Sequence, residues 1–355
     1  MTEPVTLYGL PHSLYTGKAR SYLRKQGIAY REVPPSDPAF ARDVLPAIGR
    51  GIIPVMVTAE GTIIQDTVDI VDRFEEAGVT RWPAYPGAPA LNAISALIEL
   101  YAVVGLTRHA MHYRWSYLDR QEGFLRDAFG VGGDPERTRA SMERMASYLP
   151  VLGVNADTVP LIEESYHQLL DGLEAHFAVW PYLLGGRPAI GDYALFGPLF
   201  AHLGRDPVPL AIMQARAPKV FRWVERMHAP DLDTVEYPDS ARTGEFAEEV
   251  PGTLGPLLDQ IAAELLPGLT DRLGVLRDFV SETDPQAGEP VVAKPHQRTV
   301  GMVDTSFRGA PYRGGVQPYH FLLWQRVQEA AGDDAAAHEI FARHGLGAVL
   351  EEALP

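Results

Sequence analysis

Read from the N-terminus, the hydrophobic pattern first alternates and later turns helical. The apolar run at residues 4–10 predicts a first strand. Residues 17–27 predict a helix ending at Gly27, a residue suited to the left-handed position after a helix. The segment AYREVPP reads as a second strand, stopped by Pro34 and Pro35. DPAFARDVLPAIGRG gives only a short, irregular helical piece. IPVMVTAEGTIIQD alternates around a turn at Glu60 and Gly61, as a hairpin does. TVDIVDRFEEAG then carries Val68, Val71 and Phe74 at helical spacing and ends at Gly78. The predicted order over residues 1–78 is β-α-β-α-β-β-α.

Residues 79–88 are Pro-rich and have no period, which marks a linker. From 89 to 228 the pattern predicts helices at 89–115, 117–129, 135–149, 157–178, 191–203 and 216–228, with no internal repeat. Beyond Pro230 the chain turns polar. Two helices are expected at 252–265 and 268–282, then a long Gly/Pro-rich loop, then helices at 318–332 and 334–353. Val300, Met302 and Phe307 inside that loop predict that it packs against the rest of the molecule. The expected division is therefore an α+β domain at 1–78, a linker at 79–88, an all-α domain at 89–228 and a mostly helical extension at 229–355.

Composition narrows the function classes. Of 355 residues, 46% are hydrophobic and 22% charged, which is ordinary for a globular protein. A net charge of −15 disfavours nucleic acid and anionic membrane as partners. The absence of cysteine excludes disulfides, thiolate metal sites and cysteine nucleophiles, and fits a cytoplasmic protein. MTEPVTLYGL lacks a signal-peptide pattern. APALNAISALIELYAVVGL is long and apolar, but it contains Asn92 and Glu99 and is flanked by Pro89 and Arg108. It reads as a buried or amphipathic helix and not as a membrane span.

Three short pieces carry candidate chemistry. The first is SLYTGKAR, Ser13 to Arg20, where hydroxyls meet a helix start. Such a site caps the helix or stabilises an anion beside its positive end. The second is Ile53-Pro54 ahead of a strand, either an ordinary strand-edge proline or a cis turn with a purpose. The third is Gln65-Asp66-Thr67 at another helix start, where an acid and a hydroxyl suit an N-cap, a zwitterionic ligand, or both.

Taken in this order and spacing, the pieces resemble the glutathione transferases over residues 4–228. The resemblance implies a thioredoxin-like domain followed by an all-helical one, glutathione as co-substrate with no metal, and a homodimer. It implies that Ser13 or Thr16 holds the glutathione thiolate, with Tyr8, one residue out of the family's usual register, as a third candidate. It also implies that the Ile53 backbone, turned by a cis Pro54, pairs with the cysteinyl unit, and that Asp66 and Thr67 take the γ-glutamyl ammonium and carboxylate. Lack of cysteine disfavours the branches of the family that work through a mixed disulfide.

GGRPAIGDYALFGPL echoes the family's capping box, with Asp192 present but Ala189 where a hydroxyl is usual. His109 and His112 are one turn apart but lack a third ligand for a metal. Arg108, His112, Tyr113 and Trp115 read either as core or as the wall of an acceptor pocket for an apolar or aromatic electrophile. The segment KPHQRTVGMVDTSFRGAPYRGG, with Lys294, Arg298, Arg308 and Arg313, either covers an anionic substrate or neutralises nearby carboxylates. No Walker loop, G-x-G-x-x-G, G-x-S-x-G or H-E-x-x-H occurs. The expected activity is attack of the glutathione thiolate on a small electrophile. The alternative is a non-catalytic binding or assembly module on the same fold.

Overall fold

Val5 and Leu7 of β1 (Val5–Tyr8) enter the main core, while Tyr8 enters a separate small cluster across the sheet. Side chains that alternate along a strand produce this division. The computed structural model describes residues 3–131, 133–238, 244–286, 290–292, 294 and 298–355. β1 pairs in parallel with β2 (Tyr30–Val33) and antiparallel with β3 (Val55–Val57). β3 pairs antiparallel with β4 (Ile63–Ile64), giving the order β2-β1-β3-β4. α1 (Leu14–Lys25) and α3 (Thr67–Glu76) supply Ala19, Tyr22, Leu23, Val68, Ile70 and Val71 to the main core. The other cluster joins Tyr8 and Val55 to Phe40 and Val44 in a π-helical turn that leads into α2 (Leu45–Ile48). This is the expected thioredoxin-like arrangement, followed as expected by a helical region.

The run expected as one helix at 89–115 is two, α4 (Pro89–Val104) and α5 (Leu106–Trp115), divided at Gly105. Its most apolar window has a mean hydropathy of 1.6, yet 78% of that window is buried inside the protein. α4 lies against α5, α9 and the extension, which is why it is apolar all round. The region continues with α6 (Leu118–Phe129), α7 (Pro135–Ala146), α8 (Val159–Phe177), α9 (Ile190–Ala201), α10 (Pro207–Arg216) and α11 (Pro218–His228). α10 is absent from the sequence reading. Pro207 and Pro209 resemble a loop there, but in a first turn a proline lacks only an N–H that would have had no partner.

The extension departs most from expectation. Helices at 252–265 and 268–282 are one helix, α12 (Gly255–Thr283), which runs through Pro267. Its buried stripe of Leu258, Ile261, Leu265, Leu269, Leu273 and Leu276 continues across the proline, so packing outweighs the lost hydrogen bond. The expected long loop contains a hairpin, β5 (Gly301–Phe307) and β6 (Ala310–Val316). Arg308 and Gly309 form its two-residue turn, with φ of 49° and 86°. Phe307 is buried and Val300 half-buried against the core, but Met302 points to solvent. Residues 295–297 of the basic segment lie outside the described residues. The final helix expected at 334–353 is α14 (Ala335–Arg343) and α15 (Gly347–Glu351), after α13 (Pro318–Ala331). α13 lies along α4, and α12 packs on the hairpin and α8, so the extension wraps the helical region.

Candidate functional site

Strand register brings the three pieces to one end of the sheet. Tyr8, the last residue of β1, pairs with Val55, the first of β3, and Met56 pairs with Ile64, the last of β4. The loop carrying Ser13, the Ile53-Pro54 step and the Gln65-Asp66-Thr67 turn therefore leave the sheet side by side. The Ile53-Pro54 peptide is cis. Among the described residues, neither the N–H nor the C=O of Ile53 has a hydrogen-bond partner, so a short strand edge stands open there.

Ser13 is the N-cap of α1. Its Oγ accepts a hydrogen bond from the Thr16 amide at 3.3 Å, and the side chain is half-buried. No acceptor for its own hydroxyl proton is found among the described residues. Thr16 is fully buried, and its Oγ1 accepts from the Leu10 amide at 3.4 Å. Gly9 lies against it so closely that a Cβ there would fall 2.2 Å from Thr16 Cγ2. Tyr8 packs at a tilt against Phe40, and its hydroxyl is held above the ordinary tyrosine range, first by burial and then by Asp37 and Asp43. Of the three candidate hydroxyls, Ser13 is the one at the helix start that is not buried, whereas Thr16 and Tyr8 are.

Asp66 caps α3, its Oδ1 accepting from the Val68 amide at 2.8 Å. The same oxygen accepts from the Tyr319 hydroxyl at 3.1 Å, a contact from the extension. Thr67 opens α3 and is nearly buried. Beside it, Gln65 Oε1 is buried with no hydrogen-bond partner. An orphaned acceptor of this kind is costly unless a ligand or water satisfies it. Arg50 lies near enough to feel both Asp66 and Arg298, though burial is the main cause lowering its pKa. Tyr15 is raised by burial, with Arg298 and Asp66 also acting on it. Gln65, Arg50 and Tyr319 have no role expected from the sequence, and Arg298 is expected there only as part of the basic segment that covers an anionic substrate or neutralises carboxylates. The first two lie within or beside the quoted motifs. Arg298 comes from the segment expected as a loop, and Tyr319 from the expected helix at 318–332, whose return to the N-terminal domain no periodicity reports.

The four candidate acceptor residues of α5 are all nearly buried and face different neighbours. Arg108 lies over the Phe307 and Tyr312 rings and donates to the Leu152 carbonyl and the Tyr312 hydroxyl. His112 meets Ser116 and Glu163, Tyr113 stacks on Tyr117, and Trp115 packs edge-on to Phe129. Burial holds the His112 imidazole below its ordinary pKa, opposed by Glu163.

Two family descriptions match the chain: "Glutathione S-transferase, N-terminal domain" over residues 7–81 and "Glutathione S-transferase, C-terminal domain" over residues 140–226. These two regions are glutathione S-transferase domains. Among solved structures it is similar to a glutathione S-transferase from Xanthobacter autotrophicus Py2, at 23% identity over 70% of this chain and 97% of that one, with a TM-score of 0.38. It is also similar to the β-etherase LigF from Sphingobium sp. strain SYK-6, at 16% identity over 64% and 96% of the two chains, TM-score 0.46. A third is a glutathione S-transferase of Ceriporiopsis subvermispora in complex with glutathione, at 17% identity over 63% and 96%, TM-score 0.40. No curated protein matches the chain. The extension lies outside both matched regions.

In the second of these glutathione S-transferase regions, the helix that carries Asp192 is capped by two elements. Asp192 accepts from the Ala189 and Leu183 amides, both at 3.0 Å, and from the Trp223 indole. Ala189 has no hydroxyl to return the bond, but Ser95 of α4 accepts from the Gly191 amide at 2.9 Å. Part of the missing cap thus comes from a neighbouring helix.

Proposed function

We propose that the protein is a glutathione transferase that joins the glutathione sulfur to an electrophilic carbon of a small apolar or aromatic molecule. The observation that carries this reading is the single-ended placement of Ser13 at a helix start, an open backbone edge at Ile53 and a capping carboxylate at Asp66. Glutathione lies with its cysteinyl amide groups on Ile53 and its γ-glutamyl end on Asp66, Thr67 and Gln65. Ser13 is the hydroxyl that faces the sulfur in this reading, because Thr16 is buried under Gly9 and Leu10.

The chemistry follows from the thiol's acidity. Only the thiolate attacks well, and a free thiol is mostly protonated at neutral pH. The Ser13 hydroxyl donates to the sulfur anion, and the positive end of α1 adds to the effect. A hydrogen bond to a charged group contributes about 1.5–3 kcal/mol, or about one to two pKa units. The thiol proton leaves to solvent. The sulfur pair forms the new carbon–sulfur bond, and the leaving group departs with the pair of the bond that breaks. Tyr15 and Tyr319 flank the site and suit an aromatic acceptor. We place the reaction in the cytoplasm, where glutathione is the main low-molecular-weight thiol.

The test is glutathione-dependent turnover of a panel of activated aryl and alkyl halides. The wild type turns over at least one of them, and Ser13→Ala lowers kcat/KM about tenfold or more, matching a thiol pKa one unit higher. A wild type that binds glutathione but conjugates no member of the panel contradicts the enzymatic reading.

A further inference from the structure

We infer that the C-terminal extension is a working wall of the proposed glutathione site, with Tyr319 as the residue that orients Asp66 toward the ligand's ammonium group. The inference rests on the reading of Asp66 as part of a glutathione site.

Asp66 has two carboxylate oxygens in different circumstances. Oδ1 holds two hydrogen bonds, from the Val68 amide at 2.8 Å and from the Tyr319 hydroxyl at 3.1 Å. Oδ2 has no partner among the described residues. Two donors on one oxygen fix the plane of the carboxylate, and the other oxygen is left to meet a cation. An ammonium group approaching it makes a charge-assisted bond without breaking either existing one. Tyr319 thus acts on the ligand through Asp66, as a positioning residue.

The geometry that delivers Tyr319 is built for rigidity. Gln317 is extended and Pro318 opens α13, so Tyr319 sits in the first turn of that helix. About two turns further on, Arg326 holds both oxygens of Asp72 on α3, at 2.9 and 3.2 Å, and the Tyr85 hydroxyl at 2.8 Å. Tyr85 also donates to Asp72. α13 is therefore clamped to the very helix that Asp66 caps, and Phe321 and Trp324 anchor it in the core. Arg298, on the segment before the hairpin, lies near Tyr15 and Arg50 on the same side of the site. α13 thus meets the N-terminal domain at Asp66 and Asp72, with the Arg298 charge close enough to act on Tyr15 and Arg50, at the place where the ligand's charged end is read.

The experiment is calorimetric titration of the full-length wild type and Tyr319→Phe with two ligands: reduced glutathione, and glutaryl-cysteinylglycine, which is glutathione without its amino group. For glutathione the variant binds about two- to tenfold more weakly, the range of one hydrogen bond. For the amino-less ligand the two proteins bind alike, and the melting temperature is unchanged because the Arg326 clamp remains. Equal glutathione affinity in the two proteins overturns the inference and leaves the glutathione reading intact. Tighter binding by the variant also overturns it, since the hydroxyl would then compete with the ammonium. An equal loss for both ligands would make Tyr319 a purely structural residue. A wild type that binds neither ligand removes the glutathione reading and the inference together.

Discussion

Ser13 uses its oxygen to receive the Thr16 amide and keeps its proton for another partner. Thr16 uses its oxygen to receive the Leu10 amide inside the protein. The two hydroxyls, three residues apart, therefore respond differently to removal. Thr16→Val keeps the shape of the side chain and loses the acceptor, so it lowers stability by about 1–3 kcal/mol and leaves kcat/KM of the folded enzyme near the wild-type value. Thermal melts and steady-state kinetics on that variant check both halves, and a selective loss of turnover without loss of stability would point to Thr16 as the sulfur's partner. The sequence shows two hydroxyls at a helix start and no more. Which one is exposed depends on how Gly9 and Leu10 fold over the helix end, a contact that no periodicity reports. Ile53, Pro54, Asp66 and Thr67 were legible because each is tied to an element boundary that strand and helix patterning marks. Gln65 was quoted with them, but its orphaned oxygen is visible only once burial is known.

α1 is held at its site end by close contact with α9. Gly197 on α9 sits so near α1 that a Cβ there would lie 2.8 Å from the Leu14 carbonyl oxygen, whereas a Cβ at Gly17 meets nothing nearer than the Phe200 ring at 3.6 Å. Gly197→Ala must therefore push on backbone next to Ser13, at a cost of about 1–3 kcal/mol as in other overpacked cores, and weakens glutathione binding. Gly17→Ala is tolerated. Paired melts and titrations of the two variants decide this, and a benign Gly197→Ala would mean that α1 and α9 shift freely. At this scale the first 78 residues were readable because their strands alternate and their helices end at glycine. The hairpin at 301–316 was not, because its turn is Arg308-Gly309 and its strands are broken up by Gly314, Gly315 and Pro311. α12 and α10 were misread for the opposite reason, since a proline within or at the start of a helix resembles a break when packing is unseen.

The whole molecule carries a net charge of −15, yet its interior hides several imidazoles. Burial pushes His12 down to about 3, with Arg114 and Arg205 helping, and pushes His109 and His176 down to about 4. An unfolded histidine titrates near 6.5. Folded values below the unfolded one mean that the unfolded chain binds more protons in acid. The stability from these residues is complete above pH 6.5 and is lost as pH falls towards 4 and 3, by about 1.4 kcal/mol per pH unit for each group. Asp192, pushed up to about 7 by burial, works the other way, its contribution being present in acid and lost as pH rises through 7. His112, His202, His228 and His320 are lowered by burial as well, and Asp69, Glu75 and Asp206 are raised by it as Asp192 is. The seven imidazoles outnumber the four carboxyls, so the melting temperature falls between pH 6.5 and pH 4.5, and His176→Gln flattens the fall; a level profile contradicts the burial of neutral imidazoles. The helical character of the extension and its place after residue 228 are legible in the sequence, but its return to Asp66 is a tertiary contact that no periodicity reports. Binding of glutathione at this end of the sheet is decided by calorimetric titration of the full-length protein with reduced glutathione. Saturable binding is expected, weakened about tenfold or more by Asp66→Ala through loss of a charge-assisted contact; no heat of binding at millimolar glutathione, or equal affinity in the two proteins, would rule the site out.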